Sequence, residues 1–290
     1  MSYECINLTI DGDVATIQFN RPEKKNCMSP TLHNNVRNAL VEVEKARVKV
    51  LVITGVKDAF CAGMDLEQCF FEPFDDPERM AAINDDVFTW FKHLKNFPAV
   101  TIAKVNGWCF GGGMELAGIC DIAIVADEST WGLSEVNFGI FPGGGTSWAY
   151  AHNIPSRKKA LYYGLTGETF TGKQAEAMGY ATKSVPLAQL DAETDRVVKM
   201  LSRLGRTVLR KTKEVYEKVK WMDFEPAIDY EMAKLWELSR ETNDDWIRTA
   251  LASFSRRSFS RLALAAAASL ALRSASAFAV SMVLRIGASS

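Results

Sequence analysis

The sequence has few histidines and no paired-cysteine motif. Its three histidines, His33, His93 and His152, lie far apart among 290 residues. Metal sites and Ser-His-Asp triads usually show characteristic ligand spacing, so we expect neither a metal ion nor a triad. The six cysteines form no CxxC pair and indicate reduced thiols. Because the opening residues are polar and resemble no secretory signal, we expect a cytoplasmic protein.

Charge is nearly balanced overall but unevenly distributed. The formal net charge of −1 gives no reason to expect nucleic acid as the main partner. Residues 1–245 contain 28 Lys and Arg against 35 Asp and Glu, whereas residues 246–290 contain six arginines and no acidic residue. This change in composition separates the last part of the chain from the rest.

The final segment, residues 255–290, is rich in Ala, Ser and Arg and has three interpretations. We favour a disordered or loosely helical tail. Residues 262–284 are numerous enough to span a membrane as a helix and could form an anchor. However, placing Arg273 near the middle of the bilayer costs about 2.5–3.5 kcal/mol of insertion free energy. The abrupt loss of acidic residues also suggests translation in a wrong frame. We expect no membrane partner.

The first half of the chain alternates predicted strands and helices. A hairpin is predicted at 6–20, and a helix at 29–46 begins with Ser29 as its cap and Pro30 in its first turn. Apolar strands follow, separated by helices, at the run ending in Gly55, at 99–107 and at 121–127. This pattern predicts an α/β layer architecture with buried strands. Residues 1–186 form the predicted core, and residues 187–254 form a helical region.

Residues 107–121 read GWCFGGGMELAGICD, with three glycines before a predicted helix. The first amides of a helix are unpaired and stabilise negative charge. A second glycine, Gly63, allows a bend in AFCAGMDL at 59–66. The amides of Met64 and Gly112 are therefore candidates for an oxyanion hole, which holds charge developing on a carbonyl oxygen. The alternative is two ordinary strand-to-helix turns.

A nucleotide phosphate site is not favoured. The stretch Gly167–Lys173 resembles a P-loop, but Gln174 replaces the hydroxyl residue that would hold magnesium, and a helix rather than a strand precedes it.

Two glutamates lie in apolar, glycine-bounded surroundings. Glu115 follows the three glycines, and Glu135 lies in WGLSEVNFGIFPGGG at 131–145. Glutamate is rarely buried without a partner, and a pair of carboxyls facing one pocket can orient a water and transfer its protons. The alternative is two surface or salt-bridged glutamates.

These motifs resemble the crotonase (enoyl-CoA hydratase/isomerase) superfamily. The resemblance covers about residues 10–239 and rests on NRPEKKNCMSPTL (20–32), FCAGMDL (60–66), VNGWCFGGGMELAGICDIAIVAD (105–127) and WGLSEVNFGIFPGGG (131–145). It implies a spiral of repeated ββα units, a helical C-terminal trimerisation region, and trimers or dimers of trimers. It also implies an acyl-CoA thioester substrate and no permanently bound cofactor.

The resemblance assigns roles to individual residues. It places the thioester carbonyl between the amides of Met64 and Gly112, and both hydratase glutamates are present as Glu115 and Glu135. It places coenzyme A near Lys24, Ala62, Leu66 and Ser134. The hydroxycinnamoyl-CoA hydratase-lyase branch is the most similar, but the tyrosines of its phenol site fall on Cys69 and Met232, with Tyr230 the nearest phenol left.

The predicted reaction is hydration of a trans-2-enoyl-CoA thioester. Hydroxycinnamoyl-CoA (feruloyl-CoA) is the favoured substrate, with retro-aldol cleavage to acetyl-CoA and an aromatic aldehyde as a further step. That branch typically has a small hydroxyl residue where Glu115 stands, which argues against the cleavage. Alternatives are an aliphatic enoyl-CoA hydratase, an enoyl-CoA isomerase, and a non-catalytic RNA-binding relative that uses the Arg-rich tail.

Overall fold

The computed structural model describes residues 2–243 and 245–253, in which strands and helices alternate as predicted. The strands are β1 (Ile6–Asp11), β2 (Val14–Phe19), β3 (Val50–Gly55), β4 (Ala59–Cys61), β5 (Val100–Val105), β6 (Trp108–Phe110), β7 (Ile122–Ala126), β8 (Thr130–Gly132), β9 (Phe170–Thr171) and β10 (Lys183–Val185). The helices are α1 (Pro30–Ala46), α2 (Pro77–Lys95), α3 (Gly112–Ile119), α4 (Thr146–Asn153), α5 (Arg157–Thr166), α6 (Gly172–Met178), α7 (Leu190–Ser202), α8 (Arg206–Val219) and α9 (Phe224–Thr242). The predicted tail, 255–290, lies outside the described residues.

The first hairpin and the first helix form as their sequences predict. Strands β1 and β2 pair antiparallel, with Ile6 opposite Phe19. Helix α1 begins at Pro30, and the side chain of Ser29 accepts a hydrogen bond from the Leu32 amide at 3.2 Å. This cap satisfies one of the unpaired amides of the first turn, so the helix starts where the cap dictates.

The strands form two sheets that the chain visits in turn. The six-stranded sheet has the order β1-β2-β3-β5-β7-β10, and the four-stranded sheet has the order β4-β6-β8-β9. Each of β3, β5 and β7 lies in the larger sheet and is followed by β4, β6 or β8 in the smaller one. A helix leads back to the larger sheet after β4 and after β6, whereas β8 is followed by α4, α5 and β9 before α6 leads to β10. This repeated unit confirms the predicted ββα spiral.

The central strands are buried on both faces, as parallel strands usually are. Leu51 and Ile53 of β3 contribute to the main apolar core, whereas Val50 and Val52 point into a second cluster. Residues of α7 pack against that second cluster. The near-continuous apolar run in the sequence of β3 therefore reflects two cores rather than one.

The chain divides into two compact units, with the boundary between Lys220 and Trp221. Helices α7 and α8 belong to the first unit together with the sheets. In the second unit, helical residues 245–253 follow α9, and the indole of Trp246 donates to the hydroxyl of Ser239 at 3.0 Å. The boundary at 186/187 and the trimerisation role of the helical region remain predictions.

Two other features of the chain bear on its chemistry. Within residues 2–243 and 245–253, no helix has the length and apolar character needed to cross a membrane. The segment Gly167–Lys173 runs from α5 through β9 into α6, and Lys173 forms an ion pair with Asp127 at 3.2 Å. A P-loop joins a strand directly to a helix, so this segment has the wrong context for one.

Candidate active site

The three glycines at the start of α3 include one that no other residue could replace without strain. Gly111 has φ +47° and ψ −120°, a conformation that side chains disfavour. A Cβ there would lie 2.7 Å from Oε1 of Glu135. The glycine therefore turns the chain into the helix and also leaves room for a carboxylate.

The loops that carry Met64 and Gly112 lie side by side. Met64 forms an isolated parallel bridge with Met28, in which the Met28 amide donates to the Gly63 carbonyl at 2.7 Å and the Asp65 amide donates to the Met28 carbonyl at 2.9 Å. In this pattern the amide of Met64 itself points away from Met28.

Gly112 lies beside the Met64 loop. A Cβ on Gly63 would lie 3.5 Å from the Gly112 nitrogen, and a Cβ on Gly112 would lie 3.9 Å from Cγ of Met64. Gly112 is also the first residue of α3, where amides have no partner within the helix. The two predicted donors are thus neighbours, and their role as an oxyanion hole remains a proposal.

Glu115 is buried in the first turn of α3. Its Oε2 accepts a hydrogen bond from the Thr146 hydroxyl at 3.2 Å. Burial raises the pKa of Glu115 from 4.5 to about 8, and the Thr146 bond opposes that rise. The carboxyl can therefore hold a proton at neutral pH, as a general acid must.

Glu135 is half-buried in the short 3₁₀-helix Ser134–Phe138. Burial raises its pKa, although a backbone hydrogen bond lowers it in part. Its Oε2 is buried and has no hydrogen-bond partner among the described residues. An unpaired buried carboxylate oxygen is costly and needs a partner such as a water molecule or a substrate.

Both glutamate carboxyls lie near the start of α3 but against different glycines. The Glu135 carboxylate lies against Gly111, the residue before the helix, whereas the carboxyl of Glu115 lies against Gly145 and Thr146. Raised pKa values are typical of carboxyls that exchange protons with a water, and the pairing of these two across one pocket stays a proposal. The sequence also allows two surface or salt-bridged glutamates. Glu115 is buried and Glu135 half-buried, and neither forms an ion pair with another described residue.

Three of the residues implicated in coenzyme A binding lie together at one surface. Lys24 is exposed and forms an ion pair with Glu67 at 3.1 Å. Ala62 is half-buried, and its amide donates to the Lys25 carbonyl at 3.0 Å. Leu66 follows on the same loop and is exposed. They lie next to the Met64 loop, and their contacts with coenzyme A, which the resemblance implies, stay predictions.

The remaining predicted positions differ in setting. Ser134 is half-buried directly before Glu135. Cys69 is buried in the main core, where its thiol donates to the Met28 carbonyl at 3.4 Å and burial raises the pKa of the thiol to about 12. Tyr230 is half-buried and Met232 exposed on α9, in the second compact unit. The predicted contact of these last two residues with the acyl group stays a prediction.

Sequence reasoning missed several residues that hold the site together. Thr146 follows the glycine run 143–145 and starts α4, which marks it as a helix-start residue but not as a partner of Glu115. Arg21 and Asp65 lie inside two of the quoted motifs, yet nothing in the sequence pairs them. The described part of the chain contains no group of three or more His, Cys, Asp or Glu side chains that could hold a metal ion.

Known proteins with the same architecture exist. A family model described as enoyl-CoA hydratase/isomerase matches residues 9–254. The hydroxycinnamoyl-CoA hydratase-lyase of Pseudomonas fluorescens is 41% identical over 236 residues, which cover 80% of this chain and 85% of that protein. Human enoyl-CoA hydratase domain-containing protein 3 superposes with a TM-score of 0.80 at 25% identity, covering 86% of this chain and 98% of that one. An enoyl-CoA hydratase from Bacillus anthracis superposes with a TM-score of 0.79 at 25% identity, covering 88% and 97%.

Proposed function

Because the chain belongs to the enoyl-CoA hydratase/isomerase family, we propose that it adds water across the double bond of a trans-2-enoyl-CoA thioester. The membership confirms the resemblance to the crotonase superfamily. The observation that carries the proposal is that two carboxyls with raised pKa values lie near the start of α3, Glu135 against Gly111 and Glu115 against Gly145. An isomerase needs only one carboxyl to move a proton between carbons, so the pair supports hydration.

In the proposed reaction the two carboxyls hold one water molecule between them. An ionised carboxylate takes a proton from the water as its oxygen bonds to the β-carbon of the substrate. The electrons of the double bond move to the α-carbon and the thioester oxygen, and the neutral carboxyl delivers a proton to the α-carbon. One proton leaves the pair and one arrives, so the pair keeps its single proton, which now lies on the other carboxyl. A proton shift between the two carboxyls, directly or through a water, restores the starting state.

The amides of Met64 and Gly112 stabilise the enolate oxygen in this scheme. Their contribution is greatest in the transition state, when negative charge has moved onto the oxygen. The neighbouring loops support the assignment, because the Met64 amide points away from Met28 and Gly112 is the first residue of α3, where amides have no partner within the helix.

We place hydroxycinnamoyl-CoA (feruloyl-CoA) first among the substrates. The 41% identity to the Pseudomonas fluorescens hydratase-lyase supports this choice. In the cleavage step, the bond between the α- and β-carbons breaks as the β-hydroxyl loses its proton, giving an aromatic aldehyde and acetyl-CoA. Cys69 offers no phenol to the substrate, and a carboxyl at Glu115 argues for hydration without cleavage. An aliphatic enoyl-CoA is therefore the second candidate.

A panel of thioesters tests the proposal. Feruloyl-CoA and crotonyl-CoA are each incubated with the full chain, and loss of enone absorbance is followed together with release of vanillin. We expect hydration of at least one thioester. Release of vanillin from feruloyl-CoA would show that the protein also catalyses the cleavage step. Hydration of crotonyl-CoA but not of feruloyl-CoA would show that it acts on aliphatic thioesters. No loss of absorbance with either thioester would contradict hydration, and conversion of a 3-enoyl-CoA to its 2-enoyl isomer would then identify an isomerase.

Glu135→Gln tests the mechanism directly. This variant keeps the shape of the side chain but cannot take a proton, and general acid–base catalysis typically contributes 10²–10⁴-fold. We expect kcat to fall by at least ~10²-fold, while Glu4→Gln, at an exposed glutamate, leaves it unchanged. Hydration at the wild-type rate in Glu135→Gln would contradict the two-carboxyl mechanism.

The remaining expectations concern assembly and location. We propose a homotrimer or a dimer of trimers in the cytoplasm, with the acyl-CoA thioester as the small-molecule partner and no permanently bound cofactor. All six cysteines are free thiols, which supports the location. Sedimentation of the purified chain tests the assembly.

A further inference from the structure

A buried ion pair joins the loop of Met64 to the segment after β2. Nη2 of Arg21 lies 3.1 Å from Oδ2 of Asp65, and the two side chains are only 12% and 4% exposed. Burial raises the pKa of Asp65, but the hydrogen bonds from the Gln68 amide and the Arg21 guanidinium outweigh it, so the net pKa is lowered. Asp65 is therefore a charged group held in the interior by specific partners.

Arg21 is itself fixed to the segment that follows it. Its Nη1 donates to the Cys27 carbonyl at 2.8 Å, and its amide donates to Oδ1 of Asn26 at 2.9 Å. The Asn26 side chain in turn donates to the Ala59 carbonyl of β4 at 2.8 Å. The planar guanidinium thus donates to two acceptors at once, the Cys27 carbonyl and the Asp65 carboxylate. A lysine ammonium cannot reproduce this geometry.

The same segment holds Met64 on both sides. The Met28 amide donates to the Gly63 carbonyl, and the Met28 carbonyl accepts from the Asp65 amide. Met64 lies between Gly63 and Asp65 in the chain. Asp65 is consequently fixed twice, through its amide to Met28 and through its carboxylate to Arg21. The Gly63 carbonyl and the Met64 N–H belong to one planar peptide, and the Met28 amide orients that peptide through its bond to the carbonyl. Asp65 anchors the chain at the next residue, so a shift of Asp65 would move Met64 and turn this peptide.

We propose that Arg21 and Asp65 are positioning residues that aim the Met64 amide at the thioester oxygen. The proposal rests on the proposed hydratase function and adds to it two residues that act through the backbone rather than by touching the substrate. A displaced oxyanion donor weakens transition-state binding much more than substrate binding. The loss should therefore appear in kcat rather than in KM.

The test combines kinetics with a direct probe of the donors. The variants are Arg21→Met, Arg21→Lys and the double variant Arg21→Met/Asp65→Leu, which leaves no unpaired buried charge. Acetoacetyl-CoA is the probe, because its enolate absorbs in the near ultraviolet and forms on the protein in proportion to the stabilisation of its oxygen. Asp58→Asn is the matched control, since it removes the exposed Lys25–Asp58 pair between neighbouring segments.

We expect Arg21→Met and the double variant to lower kcat by about 10- to 100-fold, with KM changed less than about threefold, and to lower the enolate absorbance in parallel. Arg21→Lys keeps a cation beside Asp65 and should therefore fold. Its kcat and its enolate absorbance should lie between those of the wild type and those of Arg21→Met. Asp58→Asn should match the wild type.

Two outcomes would overturn the inference. One is a kcat within about twofold of wild type, with wild-type enolate absorbance, in any folded variant that lacks Arg21. The other is an equal loss in Asp58→Asn. A wild-type protein that turns over no thioester and forms no enolate would instead contradict the proposed function, so the two failures are distinguishable.

Discussion

The carboxylate of Glu115 lies directly against the backbone of Gly145. A Cβ on that glycine would lie 2.1 Å from Oε1 of Glu115, and Gly145 has φ +120°. The same relationship recurs between Gly111 and Glu135. Each active-site carboxyl is therefore backed by a glycine in a positive-φ conformation, and the glycine-rich loops serve the carboxyls as well as the helix starts.

Gly111→Ala should disable the site more than it destabilises the fold. The new methyl group would lie 2.7 Å from Oε1 of Glu135 and displace the carboxylate. We expect kcat to fall on the order of 10²-fold, because a misplaced acid–base group loses most of its effect. Steady-state kinetics on the thioester that the protein hydrates measure the change.

Gly12→Ala is the matched control for backbone strain. Gly12 also has a positive φ of +54°, but a Cβ there would meet no atom within 4 Å. Both variants should lose about 1–3 kcal/mol of unfolding free energy, because alanine disfavours a positive φ. Equal losses of kcat in the two variants would show that strain rather than the contact with Glu135 is responsible.

Burial raises the pKa of Glu115, and the hydroxyl of Thr146 opposes that rise. Its hydrogen bond to Oε2 at 3.2 Å favours the ionised carboxylate, so its removal in Thr146→Val should raise the pKa of Glu115 further. The limb of the pH–rate profile that Glu115 controls should move to higher pH. The buried hydrogen bond should also cost about 1 kcal/mol of unfolding free energy when lost.

Thr146→Ser separates these effects from a change in packing. It keeps the hydroxyl and removes only a methyl group, so its pH–rate profile should superpose on that of the wild type. A Thr146→Val profile identical to the wild type would show that Glu115 does not control either limb.

Burial of Glu115 should make the protein less stable as pH rises. The folded-state pKa of about 8 lies above the value of 4.5 expected for the unfolded chain, so between these values the folded state binds more protons. Unfolding then releases a proton, and stability falls with rising pH by up to about 1.4 kcal/mol per pH unit. The loss is complete above about pH 8.

Glu115→Gln should remove this dependence, because an amide does not titrate. We expect the unfolding free energy of the variant, relative to wild type, to increase steadily from pH 5 to pH 8 in urea titrations at constant protein concentration. Asn7→Ala, at an exposed residue that carries no titratable group, should give a constant difference over the same range. A constant difference for Glu115→Gln would mean that the carboxyl is ionised throughout.

Local patterns predict the alternation of buried strands and helices, and the resemblance to the crotonase superfamily implies the ββα spiral. The apolar surroundings of Glu115 suggest a buried carboxyl but leave a surface or salt-bridged one open. Glycines before an apolar helix predict unpaired amides, and alternating strands and helices predict buried sheets. The partners were not predictable, since Thr146 lies 31 residues from Glu115 and Asp65 lies 44 residues from Arg21. Such pairs meet only after the strand order is set, which a single sequence does not reveal.

Helix α8 is held to the sheets by a cluster of polar contacts that the sequence did not predict. Nζ of Lys213 lies 2.8 Å from Oδ2 of Asp121 and donates to the Phe97 carbonyl at 2.9 Å. Asp121 in turn accepts the amide and the hydroxyl of Thr101 on β5. This cluster ties the helix to the turn before β7.

Lys213→Met should therefore be strongly destabilising. The two side chains are 12% and 17% exposed, and removal of one partner from a buried pair typically costs 3–5 kcal/mol because the other charge stays buried. Arg79→Met is the control, since the Arg79–Glu72 pair is 47% and 43% exposed and such pairs contribute about 0–1 kcal/mol. Urea unfolding at one pH and protein concentration measures both. A loss in Lys213→Met no larger than in Arg79→Met would mean that α8 is held by apolar contacts alone, and that the Asp121 carboxylate finds sufficient compensation in Thr101.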